Sequence, residues 1–158
     1  MINLGFRSGR NMPNVYLELT PVDRILEGLS VLLTVAAWIL AILFYFGLVT
    51  PPSQLFVSPI TMTVLVVVFL WASRAPIRFY NFPVKLNERN YVMQYFIATR
   101  FTRAVSLILC LMTFCGLFIE LGWMFGVSDG FFLNMMHVIA GFLFLSFLVY
   151  YFLAFRHR

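Results

Sequence analysis

Charged residues are scarce in this chain of 158 residues. Asp, Glu, Lys and Arg make up 11% of it, against about 25% in an ordinary soluble domain. So few polar groups could not cover a chain that is 62% hydrophobic in water, which excludes a soluble domain. Disorder is excluded as well, because disordered chains are poor in apolar residues. We therefore predict a single membrane domain over residues 1–158.

Long uncharged runs divide this domain into membrane spans. No charged residue occurs between Glu27 and Arg74, and turn residues at 50–53 split that run into predicted helices 26–48 and 55–73. A second apolar block, broken at residues 126–130, predicts helices 104–125 and 131–155. Each has the roughly 20 residues that cross a bilayer core, where helices satisfy the backbone without water. The predicted fold class is all-α, a four-helix transmembrane bundle.

The basic residues lie on one side of this predicted bundle. All eleven Lys and Arg fall in the N-terminal segment 1–20 or the few residues after it, in the loop 74–103, or after helix 4. The positive-inside rule then places both termini and the loop in the cytoplasm. We predict a multi-pass protein of the bacterial inner membrane. Orientation explains the net charge of +5, so we expect no nucleic acid partner.

Residues that hold metals or cofactors are few. Cys110 and Cys115 lie in one predicted helix but face different directions, and we interpret them as buried free thiols. The two histidines, His137 and His157, are predicted on opposite sides of the membrane, which argues against a haem between them. We expect no metal and no cofactor. No nucleophile–base pair or phosphate-binding glycine loop is visible, so we also expect no enzyme.

An intramembrane polar group is the first candidate site. Glu120 of helix 3 and His137 of helix 4 are about equally far from the turn near Ser128, so an antiparallel hairpin places them at the same depth. Thr113 shares the stripe of Glu120, and Asn134 that of His137. An ionisable residue at this depth suggests a ligand or proton site. The alternative is that Glu120 and His137 lock the hairpin or reach the outer headgroups.

Small and weakly polar residues form stripes on three of the helices, and such stripes let membrane helices approach closely. We infer that they face one another in the bundle interior. Helix 1 contributes Ser30, Thr34, Ala37 and Ala41; helix 3 contributes Ser106, Cys110, Thr113 and Glu120; helix 4 contributes Asn134, His137 and Gly141.

The cytoplasmic face is the second candidate site. Thr20 is the predicted N-cap of helix 1, with Pro21 at the first position. Asn87 is predicted to cap a helix that begins at Glu88 and is continuous with helix 3. The basic residues here would attract anionic lipids, with the aromatic residues at the headgroup interface; the alternative is that these charges only set topology. The expected interface residues are Arg74, Arg78, Lys85, Arg89, Tyr91, Tyr95, Arg100 and Arg103.

Two segments of the sequence resemble a known family. Residues 79–85 read F-Y-N-F-P-V-K and are followed by Glu88, Asn90, Q-Y at 94–95, A-T-R at 98–100 and Arg103. This is similar to the N-[FY]-P-V-K…E-x-N…Q-Y…A-T-R…R segment of small bacterial membrane proteins related to the Sdp toxin-immunity protein. Residues 20–27 resemble the T-x-x-D-R-x-L-E start of helix 1 in those proteins. The resemblance covers about residues 20–155.

The family's external loop is missing from this chain. Its usual motif between helices 1 and 2, I-P-x-H-F-x-x-x-G-x-x-D, has no counterpart at residues 49–54, so no functional residue is carried over from it. The resemblance implies a non-catalytic protein of immunity or sensor type that binds a peptide, a lipid or a membrane partner. Two alternatives stay open: an accessory or structural subunit of a larger membrane complex, and a small transporter or proton path through Glu120 and His137.

Overall fold

The computed structural model describes residues 7–9, 12–47, 54–126 and 129–158. Over these residues the chain forms four helices: α1 (Pro21–Gly47), α2 (Val57–Arg74), α3 (Tyr91–Phe125) and α4 (Asp129–Arg156). All four are long and apolar enough to cross a membrane, which confirms the predicted all-α class and the four membrane helices. A 3₁₀ turn (Ile77–Phe79) and a two-residue antiparallel pairing of β1 (Arg7–Ser8) with β2 (Asn81–Phe82) lie outside them.

The helix ends follow from local side-chain chemistry. At the start of α1, the hydroxyl oxygen of Thr20 accepts a hydrogen bond from the Asp23 amide at 3.3 Å, and Asp23 Oδ2 accepts one from the Thr20 amide at 3.1 Å. This reciprocal capping box confirms Thr20 as N-cap. α2 ends at the extended Ala75, which precedes a proline. The predicted turns at 50–53 and near Ser128, and the end of the first predicted span, lie outside the described residues.

The first turns of α3 extend beyond a bilayer core. Its 35 residues span about 52 Å at 1.5 Å per residue, whereas an apolar core is about 30 Å thick. The predicted continuity of the juxtamembrane helix with helix 3 is therefore confirmed. The helix begins at Tyr91 rather than Glu88, because the side-chain oxygen of Asn87 accepts from the amides of Arg89 and Asn90 and closes a turn before it.

α3 is the central helix of the bundle. It packs against α1, α2 and α4, while α1 and α2 also pack against each other. The predicted small stripe on helix 1 is buried in this interior, as are Ser106 and Cys110 of α3. The main core cluster consists of Ala37, Ala41, Leu55, Met62, Val66, Cys110, Leu117 and Leu121.

α4 is oriented differently from the prediction. Its aromatic residues stack on α3, with ring centroids 5.5 Å apart for Phe118 and Phe132 and 4.6 Å apart for Phe101 and Tyr150. At 3.6 residues per turn, the predicted polar stripe lies on the opposite face of the helix from Phe132 and Tyr150. The inference that this stripe faces the interior is wrong, because the aromatic face packs there instead. Its three residues, Asn134, His137 and Gly141, are exposed.

Candidate functional site

Five charged side chains meet where α1 begins and α2 ends, which we call the basic end of the bundle. Asp23 Oδ1 lies 3.3 Å from Arg100 Nε and 3.5 Å from Arg103 Nη1. Glu27 accepts from Arg103 Nε at 2.8 Å and from Arg74 Nη2 at 2.6 Å. These five residues, the ion-pair cluster, therefore join α1, α2 and α3.

Helical spacing and the capping box together place the charged side chains of the ion-pair cluster close to one another. Asp23 and Glu27 are four residues apart, and Arg100 and Arg103 are three apart, so each pair shares one face of its helix. Thr20 extends the contact, since its hydroxyl donates to Asp23 Oδ2 at 2.6 Å and accepts from Arg100 Nη2 at 2.9 Å. The residue that caps α1 therefore also contacts α3.

The centre of the ion-pair cluster is buried. The side chains of Asp23, Arg103 and Glu27 are 2%, 8% and 12% exposed, whereas Arg100 and Arg74 are 36% and 52% exposed. Buried charges are tolerated only when paired and hydrogen-bonded, so the cluster constrains how the three helices pack. Three guanidinium groups face two carboxylates, which leaves the cluster with one net positive charge.

Neutral hydrogen bonds reinforce the basic end. The hydroxyl of Tyr95 donates to the Ala75 carbonyl at 2.8 Å, and that of Tyr80 to the carbonyl of Ala72 at 2.5 Å. Burial raises the pKa of Tyr80 to about 12, which widens the pH range over which its hydroxyl stays a donor. The side-chain amide of Gln94 donates to two carbonyls near the end of α4, those of Ala154 and His157, at 2.8 and 3.1 Å.

The predicted cytoplasmic interface divides into three groups in the structure. Arg103 and Tyr95 are buried and bonded within the protein, so they support the fold rather than face headgroups. Tyr91 and Arg100 are partly buried. The remaining four are exposed: Arg74, Arg78, Lys85 and Arg89.

Asp23 and Glu27 were not predicted as site residues. A signal was present, because two acids one helical turn apart at the start of an apolar helix need cationic partners, and Arg100 and Arg103 have matching spacing. The two segments that carry the family resemblance, 20–27 and 79–103, contact each other through these side chains.

A long apolar groove runs along the contact between α3 and α4. Its volume is about 730 Å³. Leu26 of α1 lines it, and Arg100, Ser146 and Tyr150 are the lining residues whose side chains carry a polar group. α3 contributes Phe96, Ile97, Phe101, Ala104, Ile108 and Leu111; α4 contributes Met135, Ile139, Phe142, Leu145, Val149 and Leu153.

The guanidinium of Arg100 connects the groove to the ion-pair cluster. Its Cζ lies 4.3 Å from the ring centroid of Phe96, which lines the groove. Nε and Nη2 donate to Asp23 and Thr20, whereas no acceptor among the described residues bonds to Nη1. Since its side chain is 36% exposed, Arg100 can offer a donor to a ligand without leaving the cluster.

A smaller cavity of about 290 Å³ lies beneath the N-terminal segment at the same end. Arg74 and Arg103 line it together with Ser73 and Thr99. Both hydroxyls already donate to carbonyls in their own helices, and both guanidinium groups are paired with Glu27. These four polar side chains are therefore already bonded within the protein, which makes the groove the stronger candidate.

The predicted intramembrane polar site is not assembled. Among the described residues no hydrogen bond or ion pair joins Glu120 to His137. His137 is exposed, and its Nδ1 lies 2.8 Å from the Leu133 carbonyl, while Glu120 Oε2 is buried with no hydrogen-bond partner in the described part of the chain. Thr113 donates to the carbonyl of Leu109 within its helix at 2.9 Å. A proton path through Glu120 and His137 therefore gains no geometric support.

The described residues contain no candidate metal site, and no related protein is found. Cys110 is a buried free thiol and Cys115 a partly buried one, and no group of three or more His, Cys, Asp or Glu in the described ranges could hold a metal ion. Comparisons of the chain with protein-family models, with curated proteins and with solved structures find no match. The resemblance to Sdp-immunity-like proteins stays a prediction.

Proposed function

We propose that the protein is a non-catalytic, multi-pass membrane protein of immunity or sensor type that binds the apolar chain of a lipid or peptide in the α3–α4 groove. The groove itself carries this proposal, because its lining is mostly apolar and includes one partly exposed cation, Arg100, one helical turn from Phe96 at one end. Sites for small ligands commonly combine a hydrophobic lining with a few placed polar groups.

The size of the groove suits a hydrocarbon chain. From Phe96 to Leu111 it follows 16 residues of α3, or about 22 Å at a rise of 1.5 Å between successive residues. One leaflet of a bilayer core is about 15 Å thick, so a chain that lies in one leaflet fits within this length. The side of the groove is open, since Met135, Phe142 and Leu145 are 42%, 58% and 50% exposed.

An occluding substitution tests binding in the groove. Ala104 lines it, so Ala104→Phe should block it, whereas Val138→Phe adds the same aromatic group on an exposed surface of α4 outside the lining. With a fatty-acyl probe that carries a photoactivatable group, mass spectrometry should locate cross-links at groove residues in the wild type and in Val138→Phe. Ala104→Phe should lose them. Equal labelling of all three proteins would contradict binding in the groove.

The immunity type is tested in cells. Deletion should sensitise the cells to a secreted toxin, and complementation with Val138→Phe should restore resistance. Ala104→Phe should fail to do so at equal expression, because its groove is blocked. Unchanged toxin sensitivity after deletion would contradict the immunity type. A sensor function would remain testable by the comparison of Ala104→Phe with Val138→Phe.

We further propose that the basic end faces the cytoplasm of a bacterium, with both termini inside. The support is that all eleven Lys and Arg flank the helix ends of one side, as the positive-inside rule requires. With Cys110 and Cys115 replaced by serine, a membrane-impermeant maleimide should label Gly130→Cys in intact cells. It should label Lys85→Cys only after permeabilisation. The opposite labelling pattern would reverse the orientation.

An accessory subunit is the second candidate function. It is favoured by α4, which packs against α3 and leaves Phe131, Phe144 and Phe152 60%, 67% and 64% exposed. Such a face would suit another membrane protein, since aromatic residues are enriched in interfaces. Purification in a mild detergent should then retain a stoichiometric partner, and recovery of the protein alone would count against this candidate.

A further inference from the structure

We propose that the groove holds an acyl chain of an anionic phospholipid from the surrounding bilayer, with the lipid phosphate at Arg100. This rests on the proposed function, since it names the ligand class of the same groove. Arg100 lines the groove and stays partly exposed, with its guanidinium stacked on Phe96, so it can meet a ligand that lies in the groove.

The route of access favours a bilayer component over a ligand from water. The groove is open along the side formed by exposed residues of α4, among them Phe142 and Leu145. Four helices of this length and composition place that side in the hydrocarbon region. A lipid can therefore move in laterally, with its chain already in an apolar medium and its headgroup at the level of the helix ends.

Charge complementarity favours an anionic headgroup. The ion-pair cluster has one positive charge in excess, and Arg24, next to Asp23, adds another exposed cation at the same end. Nη1 of Arg100 has no acceptor among the described residues. Guanidinium groups form short, charge-assisted hydrogen bonds to phosphate. A zwitterionic headgroup would also supply a phosphate, but its ammonium would be repelled by this excess charge.

Matched lipid probes test the headgroup. The full-length protein is reconstituted in nanodiscs with phosphatidylglycerol or phosphatidylcholine that carries the same photoactivatable acyl chain, and cross-links at groove residues are quantified. We expect about fivefold more labelling by phosphatidylglycerol, the equivalent of about 1 kcal/mol for one basic residue near the surface. Arg100→Gln should abolish the preference, and Arg100→Lys should retain part of it.

A matched control separates this site from general surface charge. Arg78→Gln removes one exposed positive charge from the same end without altering the groove, so it should keep the preference. If Arg78→Gln loses as much preference as Arg100→Gln, the inference is overturned. If Arg100→Gln fails to fold, Asp23→Asn combined with Arg100→Gln removes both charges together, and persistence of the preference in that variant would also overturn the inference.

The outcomes distinguish a failure of headgroup recognition at Arg100 from a failure of acyl-chain binding in the groove. Equal labelling of groove residues by both lipids would overturn the role of Arg100 but leave chain binding intact. Absence of labelling in the groove by either lipid would overturn this inference and the proposed function together.

Discussion

Replacing Arg103 by glutamine should strongly destabilise the protein. Arg103 is 8% exposed and bridges the buried Asp23 and the largely buried Glu27, with Nε 2.8 Å from Glu27 and Nη1 3.5 Å from Asp23. Breaking a buried ion pair by removing one partner costs about 3–5 kcal/mol, because it leaves a buried charge uncompensated. Here Glu27 keeps Arg74 and Asp23 keeps Arg100, so we expect the lower end, a loss of about 3 kcal/mol in the free energy of unfolding.

The measurement is equilibrium unfolding of the purified protein in a mild detergent, with increasing SDS and tryptophan fluorescence as the signal. Arg89→Gln is the matched control, since Arg89 is exposed and a surface substitution of this kind usually changes stability by within about 0.5 kcal/mol. If the two variants lose the same stability, the ion-pair cluster does not organise the bundle.

A double-mutant cycle isolates the ion pair from the packing of the arginine stem. Glu27→Gln and Arg103→Gln should show a coupling energy of at least about 1 kcal/mol, as residues in direct contact commonly do. A large cost for Arg103→Gln with no coupling to Glu27 would refute the electrostatic explanation and would assign the loss to packing.

Three further predictions have separate expected outcomes. Thr20→Val should lower the free energy of unfolding by about 1 kcal/mol through loss of the N-cap, and an unchanged SDS midpoint would contradict the capping box. Gln94→Leu should accelerate backbone hydrogen exchange at residues 154–158, because it removes both donors to the end of α4; unchanged exchange would show that this end is held by other contacts. Glu120→Gln and His137→Ala should have additive effects on the free energy of unfolding, since no hydrogen bond joins the two residues in the described structure. A coupling energy above about 1 kcal/mol would support the predicted polar site again.

Local sequence features were sufficient for the helices. The absence of charge between Glu27 and Arg74 and the turn residues that interrupt the apolar blocks predicted four membrane helices. Thr20 and Pro21 predicted the start of α1, and the capping box confirms it. Boundaries differed by a few residues where side chains close an extra turn, as Asn87 does before α3.

The neighbours of each helix could not be predicted in the same way. In lipid, a face that packs against another helix and a face that meets acyl chains are both apolar, so hydrophobic periodicity does not separate them. Small and polar residues marked the buried face of α1 correctly. On α4 the same rule failed, because aromatic stacking on Phe101 and Phe118 outweighed the small, polar face that contains His137.

The candidate site shows this limit most clearly. Arg100 and Arg103 were identified by their charge, but their partners lie more than seventy residues away in the chain: 77 for Arg100 with Asp23 and 76 for Arg103 with Glu27. Spacing within a helix predicts which side chains share a face. It does not predict which face of another helix those side chains contact. Arg103 was consequently expected at headgroups and is buried instead.

By itself, the sequence determined that this chain has four membrane helices and that its basic residues lie at one end, because both follow from composition and from contacts within a few residues. Only the tertiary structure decided which helices pack together, that Asp23 and Glu27 hold three arginines, and that α3 and α4 leave a groove lined by Arg100 near one end. Those features depend on how helices rotate and tilt against one another, and that rotation is set by the summed packing and pairing of residues far apart in the chain.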